Sequence, residues 1–132
     1  MAEPGRIIGV GGVFFKSADK AKLDAWYKDK LGIPVGEYGA TFPWRSADDP
    51  NVEHLTAWNI FKKESDYFDP SPAPYMINYI VDDLDAFLEK AAAKGVRIDP
   101  KRENADYGRF AWIFDLDGNK IELWQPPAPA LK

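Results

Sequence analysis

Two stretches of this 132-residue chain are written to one plan, and a proline-broken segment separates them. The first, residues 7–63, opens with IIGVGGVFFKS, a β-branched and aromatic run that reads as a strand. Glycines inside it signal that something approaches the backbone closely. ADKAKLDAWYKDKLG follows, with Leu23, Trp26, Tyr27 and Leu31 on one helical stripe, Ser17 or Asp19 to cap the start, and Gly32 to end it. IPVGEYGATFPW and EHLTAWNIFKK read as further strands on either side of the turn-rich RSADDPN. The second stretch, residues 74–125, starts again with a strand, YMINYIV. In DDLDAFLEKAAAKG the residues Leu84, Phe87, Leu88, Ala91 and Ala92 fall at helical spacing before Gly95. VRID, RFAWIF and KIELW are three more strands, the last two joined across Asp117-Gly118-Asn119, a hairpin signal.

Between the halves, residues 64–73 fall within ESDYFDPSPAP. Prolines at 70, 72 and 74 can sustain neither a helix nor a central strand, so the segment reads as an extended linker. The tail QPPAPALK reads as unstructured for the same reason. A unit of strand, helix and three strands has one apolar sheet face and one amphipathic helix, and cannot bury both alone. The repeat therefore predicts a single α+β domain over residues 1–132. In it, two βαβββ modules form a cupped mixed sheet with the helices outside and a shared concavity within.

Composition removes several function classes. Cysteine is absent, which excludes disulfides, zinc–thiolate sites and a cysteine nucleophile. A net charge of −4 with scattered Lys and Arg argues against nucleic acid. No signal-like leader and no apolar run of the ~18 residues that a membrane span needs is present. The expectation is a cytoplasmic protein with no membrane partner. Aromatic residues make up 14% of the chain, five of them Trp, more large surface than two short helices readily cover. A two-fold homodimer is expected to cover the rest.

FFKSADKAKLDAWYKDKLGI in the first half, and VDDLDAFLEKAAAKGVRI with FDLDGNKIELW in the second, resemble the vicinal oxygen chelate superfamily. Its members include glyoxalase I, bleomycin-resistance proteins and extradiol dioxygenases. The resemblance spans nearly the whole chain and implies the paired modules and two-fold dimers. It also implies, for metal-using members, four ligands from the first and last strands of the modules: His, Glu or Gln, His and Glu. Glu122 matches the last of these. The two first-strand histidine positions fall on Gly12 and Met76, and aligning LTAW with IELW puts the remaining position at Thr56. One strong donor in four is too few, so neither a metal nor another cofactor is expected.

Glu122 shares a strand face with Trp124, and the resemblance makes that face the cavity. There it is either a general acid or base, the candidate catalytic group, or a structural carboxylate bonded to Asn78. Asn78 sits in an otherwise apolar strand and needs a partner, which is Glu122 or a ligand. Phe14, Trp58 and Trp112 are candidate ligand-binding walls, and Tyr107 a candidate gate. His54, the one histidine, reads as a partly exposed residue where its strand begins rather than as a base or relocated ligand. Two classes of function remain. One is a binding protein that holds a small aromatic or apolar molecule. The other is a lyase, isomerase or dioxygenase of the superfamily, using Glu122 with a metal or as an acid–base group. An interaction module whose aromatics are all core is a third reading.

Overall fold

The computed structural model describes residues 3–127, so the end of the Pro-rich tail lies outside the described residues. Nine elements follow in order: β1 (Ile7–Ser17), α1 (Lys20–Leu31), β2 (Ala40–Arg45), β3 (Glu53–Lys62), β4 (Tyr75–Val81), α2 (Leu84–Ala93), β5 (Arg97–Ala105), β6 (Gly108–Phe114) and β7 (Lys120–Gln125). The strands form one open mixed sheet in the order β2-β3-β1-β4-β7-β6-β5. The opening strands of the two halves, β1 and β4, run antiparallel side by side at its centre. Each also pairs in parallel with the last strand of its own half, β1 with β3 and β4 with β7. The arrangement is close to two-fold. Gly12 faces Asn78 and Phe14 faces Met76, so equivalent residues of the two halves exchange partners across the seam.

The halves are not identical. After α1 the chain makes two strands, with only an isolated Gly36–Gly39 bridge where the expected third would lie. Pro34 has no N–H to give a ladder, and Gly39 turns the chain at φ +88°, closing a tight loop instead. A side chain at Gly39 would also collide with the Trp58 carbonyl.

Both helices pack on one face of the sheet. Asp83 caps α2 by accepting from the Ala86 N–H at 3.1 Å, and the helix buries Leu84, Leu88 and Ala91. Leu84 and Leu88 meet Val81, Ala111, Ile113 and Leu123 in an apolar cluster. Asp19 caps α1 in the same way, accepting from the Lys22 N–H at 3.0 Å. Yet α1 buries no residue fully, and its expected stripe leaves Trp26 and Leu31 about half exposed. Tyr27 docks edge-on to Phe15 and Trp58.

The segment between the halves differs most from expectation. Its prolines do exclude helix and strand, but it is not an extended linker. Turn bonds from Ser65 N–H to Lys62, Asp69 N–H to Asp66 and Ser71 N–H to Phe68 fold it back on the sheet. Phe68 is completely buried against Met76 and Trp112. Two adjacent aromatics, Tyr67 and Phe68, gain more by leaving water than the chain loses by turning. Phe68→Ala is therefore expected to destabilise the fold by about 3–5 kcal/mol in chemical denaturation. A loss below about 1 kcal/mol would fit a linker that does not pack.

Candidate functional site

The sheet face opposite the helices carries the polar residues. Strand register lines up Ala57, Gly12, Asn78, Glu122 and Trp112 as direct neighbours across β3, β1, β4, β7 and β6. Because the pleat has period two, Asn78 and Glu122 turn to the same side, and so does Trp112. Asn78 and Glu122 are 2% and 3% exposed, so each must find its partners within the protein.

They find one another. Asn78 Nδ2 donates to Glu122 Oε1 at 2.7 Å. Trp112 Nε1 donates to Oε2 at 3.1 Å, and the Tyr67 hydroxyl donates to the same oxygen. Three donors and no acceptor face this carboxyl, an arrangement that suits an ionised carboxylate, which can only accept. The Tyr67 phenol is pushed well above its ordinary value by burial, then by the charge of Glu122 and the hydrogen bond to it. It therefore stays protonated and keeps donating. Lys120 fixes the Tyr67 backbone by donating to its carbonyl at 2.9 Å.

Above this network lies a cavity of about 240 Å³. Glu122 and Asn78 form its polar floor, and the rings of Phe14, Tyr67, Phe110 and Trp124 form its walls. Tyr107 and Glu103 stand at the mouth. Phe110 and Trp124 stack in parallel, 6.1 Å between ring centres, and the Trp124 indole donates to the Tyr107 carbonyl at 2.9 Å. Gly11 opens the floor, since any side chain there would collide with Asn78 Oδ1.

Of the residues singled out from sequence, Glu122, Asn78, Phe14 and Tyr107 come together around this space. Trp112 stands behind Glu122 as a donor, buried rather than lining the cavity. Trp58 is a correction: it lies on the helix face against Tyr27 and Phe15. The cause is the alignment of LTAW with IELW. Phe14 pairs with Asn59 as Asn78 pairs with Glu122, so the counterpart of Glu122 is Asn59, not Thr56. That difference of three is odd, and an odd slip puts a side chain on the other face. Thr56 instead donates to the Val10 carbonyl at 2.6 Å. His54 stacks on Trp44 at 4.7 Å, away from the cavity. Tyr67, Phe110 and Glu103 were missed, and Trp124 was placed on the cavity face without a role of its own. The visible signal for Tyr67 was an aromatic pair inside a proline-rich stretch.

The donor set does not fit a metal ion. The four corresponding positions hold Gly12, Asn59, Met76 and Glu122, and Met76 is sealed in the core with Phe68. Glu122 already receives three protein donors. Among the described residues no three His, Cys, Asp or Glu side chains cluster as ligands.

Tyr67 gives this geometry a titration signature. A phenol with a folded-state pKa above its unfolded value of 10.0 adds stability that is complete below that pH. The contribution is lost as pH climbs toward the folded value. Tyr67 should thus stay unionised beyond the range of free phenols in an ultraviolet titration, and stability should fall above pH ~10. In Glu122→Gln the charge is gone, although the amide oxygen can still accept from the phenol, and Tyr67 should ionise earlier. Identical phenol titrations in both proteins would contradict the assignment.

Comparison with known proteins agrees with this architecture. Methylmalonyl-CoA epimerase from Mycobacterium tuberculosis superposes with a TM-score of 0.60 at 20% identity, covering 97% of this chain and 94% of the epimerase. A variant of the Streptomyces coelicolor epimerase, in complex with 2-nitronate-propionyl-CoA, gives a TM-score of 0.67 at 15% identity over 93% and 100% of the two chains. At such identities the likeness establishes the fold alone. No curated protein sequence matches. No helix among the described residues is long and apolar enough to cross a membrane. The profile of the Glyoxalase/Bleomycin resistance protein/Dioxygenase superfamily matches residues 13–123, and the chain belongs to that superfamily.

Proposed function

We propose that this chain binds a small organic molecule, without a metal, in the aromatic cavity floored by Asn78 and Glu122. One observation carries the reading. The one family-type ligand the chain retains is turned over to hydrogen bonding, its two oxygens receiving Asn78, Tyr67 and Trp112. A carboxylate held in this way gives polar definition to a site whose walls are rings, the usual make-up of a small-molecule pocket. The volume of about 240 Å³ suits a single ring with a short substituent rather than a drug-sized ligand. The Streptomyces coelicolor epimerase variant is in complex with 2-nitronate-propionyl-CoA in the same fold, which supports small-ligand binding as a use of this architecture.

A second reading, a metal-free lyase or isomerase, is favoured by the Tyr67 hydroxyl bonded to Glu122 at the cavity wall. A ligand proton brought to either oxygen would have a short route to the other. Dioxygenase chemistry has no support from the donor set.

Thermal shift separates these readings from a metal enzyme. Small aromatic probes such as indole or benzyl alcohol should raise Tm in a saturable way, while Mn, Ni and Zn salts should not. A saturable rise with a divalent metal that disappears in Glu122→Gln would overturn the proposal.

A further inference from the structure

Resting on that binding reading, we infer that the ligand is an organic cation, an aromatic or alkyl amine carrying its ammonium group toward the cavity floor. The lining is one-sided in charge. Two carboxylates face the space, Glu122 at the floor and Glu103 at the mouth, and no Lys, Arg or His lines it. The nearby cations act elsewhere. Lys120 spends its ammonium on the Tyr67 carbonyl, and Lys101 lies 5.3 Å from the Trp112 ring, behind the floor.

A second, independent feature points the same way. Asn78 is 2% exposed, and its Nδ2 is committed to Glu122 at 2.7 Å. That commitment fixes the amide orientation and leaves Oδ1 buried without a partner. Asn78 lines the cavity floor, and Gly11 beside it leaves Oδ1 room that any side chain there would take. A buried acceptor without a donor is costly, and a ligand N–H supplies what it lacks. Carboxylate, amide oxygen and the π-faces of Phe14, Tyr67, Phe110 and Trp124 together offer a desolvated ammonium several compensating contacts. An anionic ligand would meet the two carboxylates and gain no counter-charge. On this ground the cavity differs from one that takes an acid group.

Three probes of similar size test the sign of the charge by calorimetry: 2-phenylethylammonium, 2-phenylethanol and phenylacetate. The ammonium should bind about tenfold tighter than the alcohol, and the carboxylate weakest. The N,N,N-trimethyl derivative, which has no N–H for Asn78 Oδ1, should bind several-fold more weakly than the primary ammonium. Glu103 is exposed and outside the Glu122 network, so Glu103→Gln should fold normally and shrink the ammonium-to-alcohol ratio at least about twofold. Alcohol or carboxylate binding as tightly as the ammonium, or a ratio unmoved in Glu103→Gln, would overturn the cation assignment and leave the binding reading standing. Failure of every probe at millimolar concentration would count against both.

Discussion

The carboxylate of Glu122 is where three separate parts of the chain meet: β4 through Asn78, β6 through Trp112 and the segment between the halves through Tyr67. A charge buried to 3% exposure is tolerable only while those donors stay in place. Removing one partner of a buried charge typically costs ~3–5 kcal/mol, more than most single contacts in a domain of this size contribute. The positions of the three donors are therefore tied to one another. Parallel pairing of β4 with β7 sets Asn78 beside Glu122, antiparallel pairing of β6 with β7 sets Trp112 on its other side, and burial of Phe68 brings Tyr67 over the top.

The same carboxylate decides what the site can do. At the positions where the family resemblance implies metal ligands, this chain supplies N–H and O–H donors to one carboxylate. In the reading proposed above the site serves recognition rather than Lewis acidity, and the Tyr67–Glu122 hydrogen bond is a route for proton exchange. The aromatic walls come from both halves, Phe14 from β1 and Phe110 with Trp124 from β6 and β7, so the cavity is a product of the duplicated plan.

Much of this was legible in the sequence because it rested on local periodicity. The helical stripe of Leu84, Leu88 and Ala91, the Asp19 cap of α1 and the Asp117-Gly118-Asn119 hairpin are written in neighbouring residues. The bond between Asn78 and Glu122 was legible from need, since a polar residue within YMINYIV requires a partner and the matching strand offered one. Register was harder. IELW resembles LTAW in its letters, but the pairing of Phe14 with Asn59 joins segments far apart in the chain, which no local pattern records. Trp58 was misplaced for that reason. Tyr67 was hidden differently, because prolines describe what a backbone cannot form and say nothing of where its side chains go. The half-exposed α1 stripe shows the converse, since periodicity reports that a face is apolar but not how fully it is covered.

The most direct test of the central claim is a crystal structure of the protein grown with excess nickel or zinc, with data collected at the metal's absorption edge. The account predicts no anomalous peak beside Glu122, and hydrogen-bond distances from its oxygens to Asn78, Trp112 and Tyr67. A strong peak at ~2.0–2.2 Å from a Glu122 oxygen, with Tyr67 displaced, would contradict it.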